Sequence, residues 1–136
     1  MQRLIPAALI AAALFASVAQ AAEPVTTASG LVYQSLTEGT GASPAARDTV
    51  RVHYRGYFPD TGKEFDSSIA RGQPIDFPLG GVIACWTEAL QKMKAGGKAK
   101  LTCPASIAYG SRGAGGVIPP NATLNFDVEL ISVKGK

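Results

Sequence analysis

The sequence predicts an α+β domain in which an antiparallel sheet packs one face against a single short helix. Two segments, Thr49–Phe58 and Ala122–Val133, alternate apolar and polar residues with the period of a half-buried strand, and Lys98–Cys103 does so over a shorter run. Only Trp86, Ala89, Leu90 and Met93 fall at i, i+3, i+4 and i+7, the spacing of an amphipathic helix, with Gly96-Gly97 closing the segment. One helix cannot cover both faces of a parallel sheet, so the antiparallel arrangement follows. The chain shows no internal repeat and no heptad pattern.

The elements follow in order. Residues 1–21 carry one charge (Arg3), an apolar run from Leu4 to Val18 and the small-residue pattern Ala19-Gln20-Ala21, which together read as a cleavable secretory signal. No cysteine follows the run to take a lipid, and no second long apolar segment spans a bilayer, so no membrane anchor is expected. Residues 22–30 read as a polar leader and 31–136 as one compact domain. Leu31–Leu36 is a first strand, and the Gly-, Ser-, Pro- and Ala-rich segment Glu38–Ala46 a surface loop. In Thr49–Phe58, Val50, Val52, Tyr54 and Gly56 share one face and Arg51, His53 and Arg55 the other. Pro59-Asp60-Thr61-Gly62 has turn chemistry, and Lys63–Asp66 resumes a strand. Arg71-Gly72-Gln73-Pro74 is a further break before the short apolar run Ile75–Leu79. In the last strand Leu124, Phe126, Val128 and Leu130 point inward, with Asn125, Asp127 and Glu129 outward.

Charge narrows the function classes. The formal net charge of +3 falls by one once Arg3 is removed with the leader, and the basic residues are scattered apart from Lys92, Lys94, Lys98 and Lys100. Nucleic-acid binding needs basic residues massed with aromatics, so that group reads as a solvated turn and strand face. Cys85 and Cys103 face an oxidising compartment after export and are a candidate disulfide, with two unpaired buried thiols as the other reading. Two cysteines and the one histidine, His53, are too few for a zinc site, so no metal is expected.

Tyr109 to Phe126 holds the most information. An aromatic hydroxyl leads into the glycines 110, 113, 115 and 116, then Val117-Ile118, the rigid Pro119-Pro120 and a strand, which describes a flap over something apolar. The loop lacks a following Lys-Ser/Thr and opens no helix, so it is not a phosphate cradle. No serine sits in a nucleophile elbow, and His53, on the outward face of its strand, reads as solvent-facing. Taken singly, Tyr54 and Tyr109 read as core tyrosines, Asp66 as a cap of the Ser67-Ser68 turn and Trp86 as plain core.

The order of motifs changes that. Val52-His53-Tyr54-Arg55-Gly56, Phe65-Asp66-Ser67-Ser68, Val82-Ile83-Ala84-Cys85-Trp86, Ala108-Tyr109-Gly110, Ile118 to Leu124 and Phe126 to Leu130 resemble the FK506-binding protein (FKBP) type peptidyl-prolyl isomerases over about residues 25–134. The resemblance implies a half-barrel of five to six antiparallel strands wrapped round the short helix. It makes Trp86 the floor on which a proline ring lies, with Tyr54, Phe65, Val82, Ile83 and Phe126 as walls. Asp66 and Tyr109 become polar contacts, the Tyr109 hydroxyl and the Ile83 N–H becoming donors to substrate, and Val117 and Ile118 contact the residue before proline. The partners implied are polypeptides with an apolar residue before proline, and FK506- or rapamycin-type macrolides.

The implied chemistry is prolyl cis-trans isomerisation without cofactor, assisting the folding of exported proteins in a bacterial periplasm. The rival reading is an apolar-Pro binding module or holdase chaperone with little turnover. Ile75 stands where many small members carry an aromatic, an exchange that widens one wall and weakens macrolide binding. The segment before Leu31 carries no long dimerising helix, so a monomer is expected.

Overall fold

The computed structural model describes residues 22–136, and the secretory signal read at residues 1–21 lies outside the described residues. Seven strands form one antiparallel, open sheet: β1 (Val25–Thr26), β2 (Val32–Thr37), β3 (Thr49–Tyr57), β4 (Glu64–Ser67), β5 (Ile75–Pro78), β6 (Lys98–Cys103) and β7 (Leu124–Val133). Their spatial order is β1-β2-β6-β7-β3-β4, with β5 sharing the β4 edge of β3. Two short helices interrupt them, α1 (Ser68–Arg71) and α2 (Ala84–Leu90).

The alternation read from sequence decides which face is covered. Val50, Val52 and Tyr54 of β3, Ala99, Leu101 and Cys103 of β6, and Leu124, Phe126, Val128 and Leu130 of β7 form one buried cluster with Cys85, Trp86, Ala89 and Leu90 of α2. β7 is the central strand, paired along its length with β6 on one side and β3 on the other. Removing these side chains from water is the main stabilising term, about 25 cal/mol per Å² of apolar surface.

Four local features differ from the sequence reading, each for a stated reason. Val25–Thr26, inside the segment read as a polar leader, pairs with Val32 and Tyr33, which brings the strand count to seven. Helix α1 is too short to show a helical period: it is made by its ends, with Ser67 Oγ accepting from Ala70 N at 3.0 Å and Gly72 in the left-handed region closing it. Asn125 was assigned to the outward face, yet it is buried, its side-chain oxygen accepting from the hydroxyl of Thr102 directly opposite at 2.8 Å. His53 does lie on the outward face, but it is half-buried because α1 packs over it and brings Ser68 Oγ to 2.9 Å from its Nδ1.

Cys85 and Cys103 are joined, with Cα atoms 5.8 Å apart. The bridge ties the first turn of α2 to the end of β6, and both cysteines are fully buried.

The flap is closed on itself. Ala114 and Ile118 form an isolated antiparallel bridge, their two N–H···O bonds at 2.9 and 3.0 Å. Gly113 makes this possible: its φ is +69°, and a Cβ there would lie 2.3 Å from the Ile118 carbonyl oxygen. Gly113→Ala is expected to cost more than about 1 kcal/mol locally, because an L-residue is strained at this φ and the bridge must shift. Amide exchange at Ala114 and Ile118 should rise at least about fivefold in the variant, and unchanged protection would refute the closed flap.

Candidate functional site

A cavity of about 460 Å³ opens between the sheet and the N-terminal end of α2. Tyr54, Phe65, Asp66, Phe77, Gly81, Val82, Ile83, Trp86, Tyr109 and Phe126 line it. Trp86 sits in the first turn of α2, 4% exposed, and three rings stand edge-on to it: Tyr54 at 5.3 Å, Phe77 at 5.4 Å and Phe126 at 5.4 Å between centroids, all within 7° of perpendicular. Phe65 stands edge-on to Phe126 at 5.7 Å and completes the aromatic lining. Such edge-to-face sets hold rings in fixed orientations, each pair adding about 0.5–1.5 kcal/mol beyond area burial. The Trp86 indole N–H is buried without a hydrogen-bond partner among the described residues.

One side of the cavity is polar. The Tyr54 hydroxyl donates to Asp66 Oδ2, and Arg71 donates from Nη1 to Asp66 Oδ1 at 2.7 Å and from Nη2 to the Tyr54 oxygen at 3.4 Å. β4 delivers Asp66 opposite Gly56, and the single turn of α1 swings Arg71 back onto it. Burial pushes the Asp66 carboxyl upward, but the bonds from Tyr54 and Arg71 outweigh it and hold the group below its ordinary range. Burial, reinforced by the Asp66 carboxylate, pushes the Tyr54 phenol up. The cavity therefore holds an ionised Asp66 and a neutral Tyr54 at neutral pH.

The sign of the linkage follows. A depressed carboxyl contributes stability above the ordinary aspartate value of about 3.9, and that contribution disappears as pH falls through the folded value. Acid unfolding followed by fluorescence should show this component in the wild type and lose it in Asp66→Asn; identical acid profiles would contradict it.

Most residues singled out from sequence meet here: Tyr54, Phe65, Asp66, Val82, Ile83, Trp86, Tyr109 and Phe126 all line the cavity. Ile83 is the N-cap of α2, and its N–H takes no backbone acceptor among the described residues. Tyr109 stands at the rim, 39% exposed. Val117 and Ile118 are not brought to this cavity. The Ala114–Ile118 bridge folds the flap tip back, leaving Val117 56% exposed and Ile118 6% exposed, and both instead border a separate depression beside Phe58, Pro59 and Lys63. Asp66 is not the cap of α1 either, since Ser67 fills that position.

Two participants escaped the sequence reading. Phe77 lies opposite Val50 in the β3–β5 register, and its ring packs on Tyr54 and Trp86, supplying an aromatic where Ile75 does not. Its signal was its place two residues after Ile75 on the same strand face. Arg71 was passed over as part of a chain break, and the caps at Ser67 and Gly72 were the clue to the turn that aims it.

An open antiparallel sheet cupping a short helix, with an aromatic cavity between them edged by one ionised carboxylate, defines a half-barrel domain with an apolar pocket. Comparison with known proteins places it more narrowly. The family model described as FKBP-type peptidyl-prolyl cis-trans isomerase matches residues 41–131, and the chain belongs to that family. It is 54% identical over 109 residues to the FKBP-type peptidyl-prolyl cis-trans isomerase FkpA of Escherichia coli, covering 80% of this chain and 40% of that one. It is 53% identical over 107 residues to the FKBP-type 22 kDa peptidyl-prolyl cis-trans isomerase of the same organism, covering 79% and 52%. The chain thus spans about half the length of these curated relatives.

Among solved structures, Escherichia coli FkpA superimposes with a TM-score of 0.79 at 46% identity, over 95% of this chain and 58% of that one. A peptidyl-prolyl cis-trans isomerase from Pseudomonas syringae pv. tomato gives 0.76 at 41% identity, over 98% of both chains.

Proposed function

We propose that the chain is a peptidyl-prolyl cis-trans isomerase acting on polypeptides with an apolar residue before proline. The observation that carries this is the Trp86 cavity, which lines a space large enough to admit a proline and its neighbours with aromatic rings and keeps its polar groups at one edge. Trp86 forms the floor under the proline ring, and Tyr54, Phe65, Phe77 and Phe126 the walls, with Val82 and Ile83 at the mouth. The Tyr109 hydroxyl and the Ile83 N–H donate to substrate carbonyls on either side of the rotating bond. The Asp66 carboxylate, held by Tyr54 and Arg71, faces the nitrogen side.

Rotation about an X–Pro bond is slow because its C–N bond has partial double-bond character, with a barrier of about 18–20 kcal/mol. Twisting the bond removes the resonance and leaves a less polar carbonyl and a pyramidal nitrogen. A dry pocket accepts that twisted form more readily than the planar amide, so differential binding alone lowers the barrier. Neither a nucleophile nor a proton transfer enters the scheme.

A protease-coupled assay on a short apolar-Pro peptide tests the proposal. Acceleration proportional to protein concentration is the expected result, and exchange at the spontaneous rate would sink it. An FK506- or rapamycin-type macrolide is expected to compete for the same cavity.

We further infer export to a periplasm, where the protein works on newly translocated chains as a monomer. The leader pattern at residues 1–21 and the Cys85–Cys103 bridge support this, since such bridges persist in oxidising compartments.

A further inference from the structure

The strand that carries Tyr54 has a gap in its hydrogen-bond ladder directly behind the cavity. On the edge of β3 away from β7, β4 runs its register as far as Ser67 opposite Arg55, and β5 begins its own at Ile75 opposite Val52. Tyr54 falls between the two, so its backbone N–H and C=O on that edge meet neither strand. A buried backbone pair without partners is costly.

One side-chain oxygen fills the gap. Ser68, the first residue of α1 and 0% exposed, accepts from Tyr54 N at 2.8 Å, and its Oγ also lies 3.4 Å from the Tyr54 carbonyl oxygen and 2.9 Å from His53 Nδ1. A hydroxyl owns one proton and two lone pairs. One lone pair takes the Tyr54 N–H, which leaves the other lone pair and the proton to be shared between His53 Nδ1 at 2.9 Å and the Tyr54 carbonyl at 3.4 Å. The shorter contact is the stronger one. His53 Nδ1 thus completes the hydrogen bonding of the Ser68 hydroxyl and fixes its orientation across the gap.

The segment Asp66–Ser67–Ser68 then grips Tyr54 at both ends: Ser68 holds its backbone and Asp66 its phenol. Arg71, which completes the polar edge of the cavity, sits at the far end of the same turn. We propose that His53 is a positioning residue for the proline site, fixing the Ser68 hydroxyl across the ladder gap and so holding Tyr54, Asp66 and Arg71 in register. Its role depends on the proposed function of the cavity, but its structural consequence can be read without turnover.

The test compares three full-length proteins. His53→Phe keeps a ring and removes the hydrogen-bonding nitrogen, whereas His53→Asn keeps a hydrogen-bonding amide where Nδ1 stood. In His53→Phe, kcat on a short apolar-Pro peptide is expected to fall about fivefold, the worth of one hydrogen bond, with KM little changed. His53→Asn is expected to recover to within about twofold of wild type. In parallel, the Asp66 carboxyl followed by carbon-13 NMR should titrate at higher pH in His53→Phe and at the wild-type position in His53→Asn.

Equal kcat and equal Asp66 titration in all three would overturn the inference. So would loss of stability in both variants with Asp66 unmoved, which would make His53 a packing residue only. Should His53→Phe not fold, His53→Ala takes its place in the same comparison. If the wild type shows no isomerase activity, the proposed function fails while the Asp66 titration still decides the role of His53.

Discussion

Replacing Cys85 and Cys103 together with alanine is expected to lower the free energy of unfolding by about 3 kcal/mol, the chain-entropy value for a bridge of this span. The two residues are 18 apart in sequence and both are fully buried, so the bridge closes a loop that the unfolded chain otherwise leaves free, and no water compensates its loss in the folded state. The position also matters for the site. Cys85 precedes Trp86, so the bridge anchors the turn that carries the cavity floor to the end of β6. Urea unfolding of the oxidised protein and the double variant gives the comparison directly, and a difference under about 1 kcal/mol would show that the bridge adds little beyond what the core already supplies.

Asp66→Ala is expected to reduce kcat/KM on an apolar-Pro peptide by about ten- to a hundredfold, corresponding to the loss of a charged hydrogen-bond network worth roughly 1.5–3 kcal/mol. Two groups lose their partner at once, the Tyr54 phenol and the Arg71 guanidinium. Tyr54 forms a wall of the cavity and packs on Trp86, so its release disturbs the apolar surface as well as the polar edge. Arg71, about half exposed, is released to solvent and no longer holds the polar edge. The comparison with Asp66→Asn separates charge from shape: the amide retains an acceptor for Tyr54 but not the ion pair with Arg71, so an intermediate rate is expected. A variant of either kind with wild-type kcat/KM would remove Asp66 from the site.

Much of this was legible in the chain for one reason: strand alternation and helical spacing are local, and local patterns survive in a linear sequence. Val50, Val52 and Tyr54 on one face of β3, and Leu124, Phe126, Val128 and Leu130 on one face of β7, needed only a period of two. The motif order from Tyr54 to Phe126 then gathered eight cavity-lining residues that are far apart in sequence. Differences arose where a long-range contact added to a local rule. Asn125 keeps its outward face but is buried there against Thr102, and Val117 and Ile118 border a separate depression because the Ala114–Ile118 bridge folds the flap tip back.

The sequence by itself determined the α+β class, the antiparallel sheet, the single core helix and the family, because each rests on periodicity or on ordered motifs. Only the tertiary structure decided that Phe77 joins the aromatic cavity, that Arg71 closes on Asp66, that Cys85 meets Cys103, and that Ser68 and His53 fill the gap behind Tyr54. These pairings depend on strand register and on the direction of one-turn helices. A one-residue slip reverses the face of every strand residue, and nothing within a single strand records what its neighbour places opposite.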